Sequence, residues 1–379
     1  MRTRFGFAVA LAATISLSGN AAVSAAPDPI LVGVVISTSG PSAPLGVPQK
    51  NALAIVEKDV NDHGGIGGRP LHFDIVDDEA KPDVAAQLVQ QEIGKGAVAI
   101  ICGTRTATSA AATRVTVGAN VVQIFLTPST ELWKTSKGVA KTLFQAAGSS
   151  DDEAHAYVGF SAKTLKAKTI AIVHDENQYG TVAAEATEAA AKDAGLTVVA
   201  NESYPGDATD FTPQLLRVKA ANPDAVMLLG ATNTPALLTV QARTLGIKVP
   251  FVGSSAILSP AFLKVVGPDE DHLYAVSNLD FSNPDAVTKV AMSEYSAAYN
   301  LPLVGFGGFA YDAGNLIARA LTKANGKYDG VSVANALETS GAFHLTSGTF
   351  HYTAADHNGL SPKDVHIAVA RKGVWYTLD

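Results

Sequence analysis

Cysteine is the scarcest chemistry in this sequence. Its 379 residues include one, Cys102, which excludes an intramolecular disulfide. Cys102 ends the apolar run Ala97-Val98-Ala99-Ile100-Ile101-Cys102 and reads as a small core residue, not a nucleophile. Positive charge is also short, with 28 Lys and Arg against 35 Asp and Glu. That balance argues against nucleic acid or an anionic membrane as the main partner. Catalytic signatures are missing too: no Gly-x-Ser-x-Gly elbow, no His-Glu-x-x-His and no Gly-x-x-x-x-Gly-Lys loop. The nine histidines are scattered, and His155, His174 and His272 show no ligand spacing, so no metal and no cofactor is expected. Gly64, Gly65, Gly67 and Gly68 follow a helical pattern and precede a strand, the reverse of a dinucleotide loop, and read as a turn. His174-Asp175-Glu176 fits acid–base work or a polar strand-end loop. No low-complexity tract is present.

Beyond the N-terminus there is no second long apolar span. The N-terminus itself starts with Arg2 and Arg4, continues apolar over Phe5 to Leu17, and ends in small residues, Val23-Ser24-Ala25-Ala26, before Pro27. An apolar run of about 13 residues is too short to cross a bilayer and suits an export signal. Residues 1–26 are therefore expected to be removed near Ala26, which places the mature chain in the periplasm. No cysteine stands at the cleavage point, so lipid attachment is not expected. The remaining 353 residues hold 26 basic and 35 acidic side chains, a formal charge of −9. That length exceeds one compact core and implies two domains.

Apolar runs of strand length alternate with helical periodicity through most of the chain. Strands are expected at 30–36, 72–76, 98–101 and 121–125, with helices at 47–60, 84–93 and 107–117 between or beside them. A second series follows: strands 169–173, 196–200, 225–229 and 249–252, with helices 182–194, 213–220 and 235–245. Gly195 and Gly246 sit where helix C-terminal glycines belong. Repeated strand–helix–strand units imply parallel sheets covered by helices on both faces. Thr135 to Asp152, small and polar, reads as a crossing between the two. Two long helices, 284–299 and 308–323, come late. Segments 349–352, 365–370 and 374–378 read as strands, with an Arg371-Lys372-Gly373 hairpin at a sheet rim.

One turn carries binding chemistry. Strand 98–102 runs into Gly103-Thr104-Arg105-Thr106-Ala107-Thr108-Ser109 and then into helix. Hydroxyls beside the unpaired N–H groups of a helix start suit a carboxylate, and ordinary N-capping by Thr106 or Thr108 fits as well. A second such turn, Leu126-Thr127-Pro128-Ser129-Thr130, follows the next strand. Both converge on the sheet edge where open parallel sheets bind ligands.

With these features the chain resembles the periplasmic branched-chain amino-acid (Leu/Ile/Val) binding proteins of ABC importers. The resemblance covers nearly all of the mature sequence. It is carried by Ile36-Ser37-Thr38-Ser39-Gly40-Pro41 with Gly46, by Asn61-Asp62-His63-Gly64-Gly65-Ile66-Gly67-Gly68-Arg69-Pro70-Leu71, and by Asp77-Asp78. Ile170 to Gly180, Asp210-Phe211-Thr212 and Tyr311-Asp312-Ala313 complete the ordered set. The resemblance implies the α/β clamshell of the type I periplasmic-binding fold, two doubly wound parallel-sheet lobes joined by three hinge crossings. These are placed near Ala147, Val276 and Ser347, giving lobe one as 27–147 plus 277–346 and lobe two as 148–276 plus 347–379. It further implies a monomer that closes on its ligand, is read by a membrane permease and does no catalysis.

Matched residue by residue, Thr106, Ser129 and Thr130 fall on carboxylate and ammonium contacts, Tyr179 on a lobe-two tyrosine and Leu45 on a pocket-lining position. The departures concern the ammonium. Ser255 stands where the family has an acid, and Ala231 or Thr232 where it commonly has tyrosine. Arg105 replaces a small residue in the first binding turn. A guanidinium pairs bidentately with a carboxylate, whereas Ser255 offers no charge to an ammonium. The expected ligand is therefore a small carboxylate, with aromatic or aliphatic acids lacking an ammonium favoured over amino acids. Asp280 or Asp312 could supply the missing charge from another strand end. The alternative is the same clamshell as an extracytoplasmic sensor docked to a signalling receptor; a chain ending soon after its last strand is expected to serve transport.

Overall fold

The computed structural model describes residues 27–136, 138–231 and 234–378; the expected export signal, 1–26, lies outside them. Ile30–Ile36 is apolar apart from a glycine and buried almost throughout, the signature of a strand covered on both faces. It pairs in parallel with Leu71–Asp77 on one side and Ala99–Cys102 on the other. Val122–Phe125 and Leu143–Gln145 extend the sheet, again in parallel. A second sheet repeats this order: Thr197–Tyr204, Thr169–Asp175, Ala225–Leu229, Phe251–Gly253 and Leu273–Ser277 are parallel neighbours. In both sheets the first strand lies between the second and the third. The order reverses there, opening a crevice at the strands' C-terminal ends. The architecture is the expected pair of α/β parallel-sheet lobes.

The rim hairpin is present. His366–Arg371 adds antiparallel to Leu273–Ser277, and Val374–Thr377 pairs back on it. Its turn residues Lys372 and Gly373 have φ of 51° and 74°, the left-handed pair a two-residue hairpin requires. Three expectations change. Gly348–Phe350 pairs with Phe343–Leu345 in a separate hairpin rather than with the rim. The stretch 135–152 holds the edge strand Leu143–Gln145 and the start of helix Ser150–Lys163; a three-residue strand is too short to show periodicity. Helices Pro260–Val266 and Gly330–Thr339 went unforeseen, although Asp329 caps the second at Ser332 N–H, 3.1 Å away.

The chain passes between the sheets after Leu143–Gln145, after Leu273–Ser277, and between Gly348–Phe350 and His366–Arg371. The passages brace one another. Tyr352 donates to the Gln145 carbonyl at 2.7 Å, and the buried His357 ring stacks on Phe144 with centroids 3.9 Å apart. Asn278 donates to the Asp364 carbonyl at 2.9 Å. No helix among the described residues is long and apolar enough to cross a membrane.

Candidate functional site

The ends of both sheets meet around a void of about 10 Å³, far below the roughly 300–1,000 Å³ of drug-sized sites. Thr104, Arg105, Thr106, Thr127 and Pro128 line it from the first sheet's strand ends. Tyr179, Ala231 and Ala256 face them from the second, and Phe306 closes one side from the start of helix Phe306–Ala324.

The first half is built by a tight turn. Gly103 has φ of 100°, and a Cβ there would sit 1.7 Å from Ser109 Oγ, so only glycine lets the chain turn directly from strand into helix Thr106–Ala119. Thr104 donates to Gln49 Oε1 at 2.6 Å and accepts the Ser37 N–H at 2.8 Å. The Thr106 and Ser129 hydroxyls lie 3.0 Å apart, both buried. Thr108 turns back to the Arg105 carbonyl, and Arg105 at the cap position makes no side-chain cap bond. The helix start therefore presents N–H groups that no side chain at that cap position satisfies.

Arg105 is the charged member of this half. Its Nη1 donates to Ser42 Oγ at 3.3 Å, and no carboxylate among the described residues lies within 4.0 Å of it. Burial lowers its pKa from the usual value, opposed by the attraction of Asp175 and Asp78. Asp175 is fully buried and occupied elsewhere: its carboxylate accepts Asn177 N–H at 3.1 Å and Ala231 N–H at 3.0 Å. His174 and Asp175 thus end strand Thr169–Asp175 and Glu176 follows it, and Asp175 pins the neighbouring turns.

The second half is less fully bonded among the described residues. Tyr179 Oη, Ser254 Oγ and Ser255 Oγ are all buried without a hydrogen-bond partner. Behind them stands an acid that sequence reasoning missed. Glu153, in the first turn of helix Ser150–Lys163, is 2% exposed. Its Oε2 accepts the Ser255 N–H at 3.4 Å, and its Oε1 has no partner. Burial pushes its carboxyl up to about 7, opposed by the neighbouring Ser255, with Asp152 adding to the rise. Burial also raises the Tyr179 phenol, and the charge of Glu153 adds to it.

The expected site residues divide accordingly. Arg105, Thr106 and Tyr179 line the void; Ser129 supports Thr106; Ser255 adjoins the lining residue Ala256. Thr130 begins a 3-10 turn with a buried, unpartnered hydroxyl. Leu45 is buried in the first turn of helix Ala43–Asp62 and does not line the void. Thr232 lies outside the described residues. Neither alternative acid reaches the site. Asp312 is fully buried and accepts from Thr346 N–H, Thr346 Oγ1 and Ser347 N–H, each at 2.9 Å, and Asp280 accepts from Ser282 N–H and Asn283 N–H. Phe306 was not foreseen, because one aromatic residue at a helix start carries no binding signal. Among the described residues no cluster of His, Cys, Asp and Glu could hold a metal ion.

Known proteins resemble this chain over most of its length. The chain is 26% identical to Leu/Ile/Val-binding protein homolog 3 of Brucella melitensis, over 91% of each chain. It is also 26% identical to a leucine-, isoleucine-, valine-, threonine- and alanine-binding protein of Pseudomonas aeruginosa, over 90% of each. Among solved structures it is similar to LivJ of Streptococcus pneumoniae in complex with isoleucine: TM-score 0.83, 21% identity, covering 93% of this chain and 99% of that one. A solute-binding protein from R. palustris in complex with benzoate gives TM-score 0.83 at 19% identity, covering 92% and 95%. The family model for periplasmic binding proteins matches residues 29–372, and the chain belongs to that family.

Proposed function

We propose that this protein is the extracytoplasmic receptor of an ABC importer, a binder and not an enzyme, that captures a small carboxylate between its lobes. Arg105 is the observation that carries this reading. A guanidinium at the cleft with no carboxylate within reach is an uncompensated charge, and a bidentate anion is what it recognises best. Thr106, supported by Ser129, adds a hydroxyl to the same side. The benzoate and isoleucine held by two structural neighbours are both small carboxylates. Ser255 brings no charge for an ammonium, so aromatic and aliphatic acids without one are the preferred class and amino acids the second.

Closure turns about passages near Ala147, Val276 and Ser347, and the permease reads the closed shape. The chain works as a monomer after export and cleavage near Ala26. Calorimetry on protein unfolded and refolded to shed carried ligand tests the ligand class, comparing benzoate, 3-methylpentanoate and isoleucine. Benzoate or 3-methylpentanoate is expected to bind more tightly than isoleucine. Tight isoleucine binding with no response to either simple acid overturns the preference, and no response to all three overturns the carboxylate reading.

A further inference from the structure

We propose that Glu153 is the specificity residue of the second half of the cleft, giving up its proton when the ligand carries an ammonium and keeping it when the ligand does not. The proposal rests on the carboxylate reading, because the ligand's carboxylate must first be held by Arg105 and Thr106.

Three acids open helix Ser150–Lys163, and two have local explanations. Asp151 is exposed, and Asp152 occupies the N3 position, where its N–H is capped by Ser149 Oγ at 3.0 Å. Glu153 lies beyond that cap and turns inward instead. Its carboxylate accepts from Ser255 N–H, 102 residues away and adjacent to the lining residue Ala256. No cation among the described residues is within ion-pair distance of it. A buried carboxylate without a counter-ion is costly, so it must bind a proton or receive a cation.

Among the described residues the surroundings supply no competing cation. Asp152 on its own helix is the one charge that acts on it. Tyr157 on that helix and Tyr179 on the adjoining helix are the titratable side chains that feel its charge. The segment following Phe251–Gly253 brings the uncharged Ser254 and Ser255. The other elements packed on the helix, Leu273–Ser277, Pro362–Asp364 and His366–Arg371, carry Tyr274, Lys363, Asp364, His366 and Arg371, none of which enters its electrostatics. Burial already poises the carboxyl at about 7, so an ammonium brought within reach of Oε1 is enough to expel the proton to bulk water. Tyr179, Ser254 and Ser255, each with an unpartnered hydroxyl, then offer further acceptors to the ammonium.

Calorimetry in buffers of different ionisation enthalpy tests this with the refolded mature protein. Isoleucine binding is expected to release about one proton at pH 6 and none at pH 9, whereas 3-methylpentanoate releases none at either. Glu153→Gln should abolish the release and weaken isoleucine at least about tenfold, leaving 3-methylpentanoate within about threefold. Isoleucine binding without proton release at pH 6, in the wild type alone, overturns the proposal. So does binding of 3-methylpentanoate with none of isoleucine at any pH, which leaves the carboxylate reading standing. If neither ligand nor benzoate binds, both readings fall together.

Discussion

The two halves of the cleft share a topology and differ in how their polar groups are satisfied. On the first sheet's strand ends, Thr104 pairs with Gln49, Thr106 with Ser129, and Ser109 faces Thr127 at 3.4 Å; Arg105 carries the positive charge, and Asp78 Oδ2 and the Thr130 hydroxyl are buried without a partner. On the second, Tyr179, Ser254 and Ser255 have no partner, and an acid rather than a base lies behind them. A satisfied network is rigid and holds its hydroxyls at fixed positions, while unpartnered buried groups cost stability that a ligand's polar atoms can recover. The first half is preorganised for an anion. The second depends on what the ligand brings.

Substitution of Arg105 should break this contrast most strongly. Arg105→Ala is expected to weaken the preferred carboxylate by about 2–5 kcal/mol, the cost of removing one member of a desolvated charge pair. Arg105→Lys should recover only part, having charge without the planar fork; titration calorimetry measures both. The next effect belongs to the second half. The Glu153 carboxyl titrates at about 7 in the folded protein against an ordinary glutamate value of 4.5, so the folded protein holds a proton that the unfolded chain loses. Its contribution therefore declines as pH rises from about 4.5 through 7, by up to about 3 kcal/mol in all. Urea unfolding at pH 5 and pH 8 should show Glu153→Gln losing less stability between them than wild type. Asp312, raised to about 6 by burial, keeps part of the slope in both.

Thr106→Ala returns to the first half and is expected to weaken the acid by about 1–3 kcal/mol, the usual value of a hydrogen bond to a charged group. Thr106→Ser, which keeps the hydroxyl, should stay close to wild type. The smallest effect is expected at Tyr179. Its hydroxyl has only Ser254 beside it and no hydrogen bond of ordinary geometry, so Tyr179→Phe should change ligand-free stability by less than about 1 kcal/mol. A clear fall in thermal midpoint would show that the hydroxyl is bonded and that the two halves are alike in this respect.

The first half was the more legible in sequence. A strand, Gly103, and a hydroxyl-rich turn into a helix are contiguous, so residues 99–109 contain the local geometry and most of its chemistry. Thr127 and Ser129 follow the next strand in the same way. In the second half, Tyr179 was recoverable only through the resemblance to the Leu/Ile/Val-binding proteins. Glu153 was not. A glutamate beside two aspartates at a helix start has an ordinary explanation in the helix dipole, and nothing nearby in sequence distinguishes it. Asp312 misled in the opposite direction: its sequence position suggested an ammonium partner, but packing commits both its oxygens to the backbone and hydroxyl of Thr346 and the backbone of Ser347.

By itself the sequence determined the two parallel sheets and their strand ends, because buried strands and amphipathic helices write their periods into contiguous residues. It also determined the cation at Arg105, since its turn is local. The charge balance of the site was decided by tertiary structure. Helix Ser150–Lys163 had to pack against the turn after Phe251–Gly253 before Glu153 could meet Ser255, about a hundred residues away, and lose its water. A pKa is set by desolvation and by neighbours in space, and neither is visible along the chain.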